Sequence, residues 1–318
     1  MTPCAPFSLV ALAALALPLW TTTAQAQVLF SSSLDTNAGW NLATEATPSS
    51  LATFGYDYSV MGIPAAPGGT GTTGLRMAAN ANGTIQALTA STTATFMTGQ
   101  YRITFDFWAN TNGPLPGGGT GSTELLGGGV GYSGTTPRAG ASVLVSGEGG
   151  LTQDYRMDKS SSSQALGAAG ALYNPAFTSL NVNATSSADP SNPFTAAFPG
   201  KSAPVPVQAG TTGTAHNGTV VFGWHTMTIL ADVSAGTASF WIDNLSIGTL
   251  NQSGTAVSVA GSGSLTMLDS ATSISGADLT TDLVFALFDN YKVEAVPEPS
   301  GLALAGLATL PLLRRRRR

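Results

Sequence analysis

The chain has 318 residues, of which only 9% are charged, far below the quarter typical of soluble domains. With five C-terminal arginines and Glu298 set aside, seven basic residues face sixteen acids, a balance of −9 that excludes a basic nucleic-acid footprint. The single cysteine, Cys4, precedes an N-terminal apolar run, so the chain beyond it can form no disulfide, thiolate metal site or cysteine nucleophile.

In chain order, the first element is the apolar run Phe7 to Trp20, followed by Ala24-Gln25-Ala26. Small side chains at Ala24 and Ala26 are what signal peptidase accepts, so residues 1–26 are expected to be a secretory leader cut after Ala26. Residues 27–296 then remain, enough for one large β-domain. Thirty-eight glycines, with serine and threonine throughout and no long helical periodicity, predict short strands joined by many turns.

The mature segment opens with Gln27-Val28-Leu29-Phe30. Tyr101 to Trp108 alternates cleanly, with Tyr101, Ile103, Phe105 and Phe107 on one face and Arg102, Thr104, Asp106 and Trp108 on the other. Trp108 falls among polar neighbours, which makes it a candidate ligand-facing aromatic or a side chain covered by a loop. Shorter apolar pieces follow, including Ala141 to Val145. Residues 160–217 form a long irregular stretch that is a candidate contact region, since loops of that length are usually functional or mobile.

Val220 to Val233 is expected to hold a strand ending in WHTMTILADV, and Ala238 to Ile242 another. Asp243-Asn244 is a two-residue turn that tolerates positive φ, and Leu245 to Thr249 returns from it. The pattern Trp224-His225-x-Met227-x-Ile229, then Phe240-Trp241-Ile242-Asp243-Asn244-Leu245, resembles laminin G-like and other concanavalin A-like sandwiches, with Asn244 in place of their usual turn glycine. The resemblance spans about 30 residues and implies an all-β, jelly-roll antiparallel sandwich. It also implies that the last block, Leu283 to Val293, lies beside the opening strand. Such domains often carry a structural calcium where first and last strands meet, and Asp35 and Asp289 are the carboxylates available for one; a solvated face is the alternative.

Motifs for other chemistry are sparse. His216 and His225 are the only histidines, too few for a three-histidine zinc site, and a structural role is expected for His225. There is no H-E-x-x-H and no G-x-S-x-G elbow. Two G-x-G-x-x-G matches, Gly69 to Gly74 and Gly129 to Gly134, precede no helix and are expected to be turns. Concanavalin-like glycanases usually carry E-x-D-x-E along one strand, and no glutamate here begins such a motif. Glu148 with Asp154 is the nearest pair for a glycosidase or lyase.

The tail combines Pro297-Glu298-Pro299, an apolar run from Leu302 to Leu313, and Arg314, Arg315, Arg316, Arg317 and Arg318. The run is shorter than the roughly 20 residues that span a bilayer core, and five arginines favour the cytoplasmic side. In that order the parts of residues 297–318 resemble the PEP-CTERM sorting signal of Gram-negative bacteria. The resemblance implies transient membrane anchoring, cutting near the motif by an exosortase, and delivery to the cell surface or extracellular matrix. The expected function is a non-catalytic surface or matrix protein binding polysaccharide through Trp108, Tyr132 and Tyr155, with Arg138 and Arg156 as polar partners. A polysaccharide-cleaving enzyme and a passive adhesive coat protein are the alternatives.

Overall fold

The computed structural model describes residues 26–44, 51–79, 86–111, 115, 124–132, 140–146, 155–160, 193–207, 213–251, 259–269 and 283–297. The described strands belong to one compact unit. In chain order they are β1 (Val28–Ser32), β2 (Trp40–Thr44), β3 (Leu51–Asp57), β4 (Thr73–Ala78), β5 (Gln86–Thr92), β6 (Gln100–Asn110) and β7 (Glu124–Tyr132). There follow β8 (Gly140–Val145), β9 (Tyr155–Ser160), a one-turn helix α1 (Pro193–Ala197), β10 (Trp224–Asp232), β11 (Thr237–Ile242), β12 (Leu245–Asn251), β13 (Ser262–Asp269) and β14 (Phe285–Ala295).

These strands build an antiparallel sandwich of two sheets. One sheet runs β12-β11-β10-β6-β14-β4-β3, and β1 pairs with β14 beyond the end of β4. The other runs β2-β5-β13-β7-β8-β9. The expected neighbourhood of first and last strands is present: Val28 lies opposite Glu294 and Ser32 opposite Tyr291.

Alternation decides what lies between the sheets. Tyr101, Ile103, Phe105 and Phe107 of β6 and Met227, Ile229 and Ala231 of β10 are buried in the core, as period-two patterning requires. Gly128 and Gly263 of the facing sheet admit them closely, since a Cβ on Gly128 would lie 2.5 Å from the Phe105 ring and one on Gly263 would collide with the Tyr291 hydroxyl. Along β7 the run Gly129 to Tyr132 is strand, not the turn expected from its glycines, because its carbonyls and amides pair with β8 and β13.

Both open sides are plugged by aromatic rings. Between edge strands β9 and β12, α1 inserts Phe194 and the residue just after the helix, Phe198, follows it in; Phe194 stacks on Tyr155 at 4.1 Å, and Phe198 meets the His225 ring edge-on at 5.0 Å. On the other side Trp40 of β2 packs against Phe30 and Tyr291. Part of the 160–217 stretch is therefore core, because two phenylalanines there bury completely.

Candidate functional site

The outward face of the eight-stranded sheet carries the site. Strand register aligns its side chains in rows across β14, β6, β10 and β11. The middle row is Lys292, Thr104, Thr228 and Trp241, each directly opposite the next on the neighbouring strand. Strands lie roughly 4.8 Å apart, so the row presents a continuous strip of hydroxyls ending in an indole. One row toward the chain ends stand Glu294, Arg102, Leu230 and Ser239. On the other side stand Asp289, Asp106 and Thr226, with Asp243 closing the row from the β11–β12 turn.

Two clefts indent this face and share Thr104. One, of about 560 Å³, is lined by Arg102, Thr104, Thr228, Leu230, Trp241, Asp243 and Asn244. The other, of about 680 Å³, is bordered by Ser31 to Ser33, Pro67, Gly68, Asp106, Thr226, Asn290 and Lys292. Together they form one groove. Trp241 is partly exposed, while Arg102 is exposed and makes no ion pair or hydrogen bond among the described residues.

A strap from Tyr58 to Gly71 walls one end of the groove, and two carboxylates fasten it. Tyr58 Oη donates to Asp289 Oδ2 at 2.9 Å, and Gly68 N donates to Asp106 Oδ2 at 2.8 Å. The Asp106 carboxylate also accepts from Thr226 Oγ1 at 2.6 Å and Asn290 Nδ2 at 2.9 Å, and Asp289 Oδ1 accepts from Asn290 N at 2.7 Å. Burial pushes the Asp289 carboxyl up to about 6 against the bonds from Tyr58 and Asn290, with smaller upward contributions from the charges of Asp106 and Asp35. Asn290 sits at φ 53 in a bulge that sets two residues of β14, Asn290 and Tyr291, against Phe105 of β6. The extra residue moves Tyr291 and Val293 to the core side while Lys292 stays in the groove and Glu294 on the same outward face.

The opposite end is set by the Asp243-Asn244 hairpin, with Ile242 opposite Leu245 and Asp243 at φ 51. The Asp243 carboxylate accepts from His225 Nδ1 at 2.8 Å and from Thr226 N at 2.8 Å. Burial raises this carboxyl, but those two bonds, with the charges of His225 and Lys201, outweigh it and hold the group below the ordinary carboxylate value. His225 itself points inward against Phe107 and Phe198. Its structural role follows from that packing.

The residues expected from sequence to bind ligand do not form this groove. Trp108 is buried, since the strap and Trp224 cover it: Trp224 packs 5.9 Å from Trp108, 5.2 Å from Tyr58, and donates Nε1 to Pro64 O at 2.7 Å. Tyr132 points into the core at the end of β7, where burial pushes its hydroxyl up to about 12. Tyr155 is fully buried under Phe194 and donates to Gly218 O. Arg156 is half-buried on the face of β9 opposite Tyr155, in the other sheet from Trp108. Arg138, Glu148 and Asp154 lie outside the described residues, as do Ala24, Glu298, Pro299 and Arg314 to Arg318; Ala26 and Pro297 mark the two ends of the described unit.

Asp35 and Asp289, the carboxylates expected to be available to a calcium ion, both accept hydrogen bonds within the chain. Asp289 spends both oxygens on Tyr58 and Asn290, Asp35 accepts from Ser33 Oγ at 2.6 Å on the exposed β1–β2 loop, and no group of three or more His, Cys, Asp or Glu able to hold a metal occurs among the described residues. Asp106 and Asp289 are directly opposed across two strands. Their oxygens likewise accept from donors of the chain itself.

The groove residues that sequence reading missed are Thr228, Trp241, Asn244 and Lys292, together with Arg102 and Thr104, read there only as the polar face of β6. Alternation gives each side chain its face, but nothing in a single sequence aligns Lys292 with Trp241 across four strands.

No protein-family model and no curated protein matches the chain. Solved structures similar to it include the Emp47p carbohydrate recognition domain, at 8% identity and a TM-score of 0.40, covering 81% of this chain and 89% of that one. The Ca²⁺/Man-bound VIP36 exoplasmic/lumenal domain is similar at 8% identity and TM-score 0.43, covering 86% and 91%. The endo-beta-1,4-glucuronan lyase of Trichoderma reesei is similar at 10% identity and TM-score 0.43, covering 85% and 96%. At these scores the likenesses carry no argument about the site.

Proposed function

We propose that this protein is an exported, non-catalytic sandwich of the concanavalin A-like jelly-roll type that binds polysaccharide along the outward face of its eight-stranded sheet. The observation that carries the reading is the row Lys292, Thr104, Thr228 and Trp241, a strip of hydrogen-bonding groups ending in a partly exposed indole. A sugar chain offers hydroxyls for such a strip and an apolar ring face for the indole. Non-catalytic binding is supported by the Asp106 and Asp289 carboxylates, whose oxygens already hold the strap.

The address belongs to the same proposal. The leader ending at Ala26 and the Pro297-Glu298-Pro299 motif with its apolar run and five arginines support export, transient membrane attachment and exosortase-type release to the surface or matrix of a Gram-negative cell. Among the described residues no helix is long and apolar enough to cross a membrane.

The binding test is affinity electrophoresis through gels containing extracellular polysaccharides, the producer's own included. Trp241→Ala is expected to weaken retention about ten-fold with the fold intact by circular dichroism. Wild-type protein running unretarded through every polymer would sink the reading and leave a passive structural role.

A further inference from the structure

We infer that Glu294 acts as a charge gate that makes the groove accept neutral polysaccharide and refuse polyuronates. The inference rests on the polysaccharide reading and names the class of polymer. Two cations reach the groove, Arg102 and Lys292. Glu294 lines neither cleft but adjoins both cations at the rim, directly opposite Arg102 on the neighbouring strand and ion-paired at 3.0 Å with Lys292.

Any carboxylate that approached Arg102 would therefore meet the Glu294 carboxylate beside it, the same group that is paired with Lys292. Asp243 lines the same cleft as Arg102 and Trp241, its carboxyl 43% exposed. Hydrogen bonds from His225 and Thr226 hold that carboxyl below the ordinary carboxylate value. Asp106 adds a further carboxyl where the strap borders the cleft. Residues 27–296 carry a balance of −9, so the longer-range field repels a polyanion as well.

Neutral sugars meet none of this opposition. Their hydroxyls can donate to Asp243 and Asn244 and accept from Arg102 within one cleft, with a ring lying on Trp241. The exposed guanidinium thus serves as a fork for hydroxyl oxygens instead of a counter-ion for acids.

The test uses alginate, polygalacturonate and polyglucuronate, each beside its carboxyl-reduced twin, by affinity electrophoresis at about 20 mM and about 500 mM NaCl. The full mature protein should bind at least one reduced polymer about ten-fold more tightly than its polyuronate twin, and high salt should narrow that gap. Glu294→Gln should cut the neutral-to-acid ratio about ten-fold. Asp158→Asn makes the same change in net charge on β9, in the other sheet, and should leave the ratio as it was.

Equal or tighter binding of polyuronates by the wild type would overturn the gate while upholding polysaccharide binding. An unchanged ratio in Glu294→Gln, or an equal shift in Asp158→Asn, would also overturn it. Retention by no polymer of either kind would instead remove the reading on which it depends.

Discussion

Asp289 shows how a buried carboxylate can tie stability to acidity. Its folded value of about 6 lies above the ordinary 3.8, with burial the main cause and Asp106 and Asp35 adding their charges. The folded state therefore holds a proton that the unfolded chain releases between those values. That contribution is fully present below the unfolded value and is lost as pH rises through about 6. His216, held below its usual value by burial, works in the opposite sense near neutrality. Below the usual carboxylate value, Asp57, Asp243 and Asp232, the last held at about 2 by Ser234, Ala235 and Gln100, lose their hydrogen-bond advantage. Urea titrations at pH 7 and pH 5 should show the wild type gaining relative to Asp289→Asn on acidification, by on the order of 1 kcal/mol after solvent screening. Parallel curves for the two proteins would refute the assignment. The residue itself was visible in the sequence as an acid near the closing strand. Its partners were not, because Tyr58 lies 231 positions away.

At the scale of elements, the β11–β12 hairpin and the β14 bulge set the geometry of the groove. The turn was legible: Asp243-Asn244 between two alternating runs predicted a two-residue reversal, and Asp243 adopts φ 51. What it fastens was not legible, since its carboxylate turns back onto β10 to meet His225 and the Thr226 amide. Asp243→Ala loses both bonds and places an alanine at positive φ, so it should cost about 2 kcal/mol in thermal or urea unfolding. Asp243→Asn keeps an acceptor and tolerates the backbone, so it should cost clearly less; equal losses would show that neither bond matters. The bulge at Asn290 escaped sequence reading because LVFALFDNYKV reads as one strand. Its extra residue explains why Phe288 and Tyr291, three apart, both face the core. The strand Tyr101 to Trp108 was read correctly in its alternation, but the cover over Trp108 comes from a strap some 40 residues earlier in the chain.

For the whole molecule, composition and turn density were enough to indicate a stacked-strand body without disulfides, and the observed two-sheet sandwich agrees. The side plug was not foreseen, because Phe194 and Phe198 stand in a proline-rich stretch with no alternating pattern. The ends of the body bear on the address. Ala295 N bonds Gln27 O at 2.8 Å and Val296 N bonds Gln100 O at 2.9 Å, so regular pairing stops just before Pro297. Mass spectrometry of protein recovered from envelope and medium should give a mature start at Gln27 and an end near Pro297. A secreted species still carrying its apolar run and arginines would refute processing at the motif. The same two bonds have a mechanical consequence. Because β1 and β14 are antiparallel and both ends of the body leave from one point, tension between those ends would open the ladder like a zip, one rung at a time. A tether attached at that point alone would leave every rung unloaded, and strain arriving from a polymer held in the groove would cross the central strands instead.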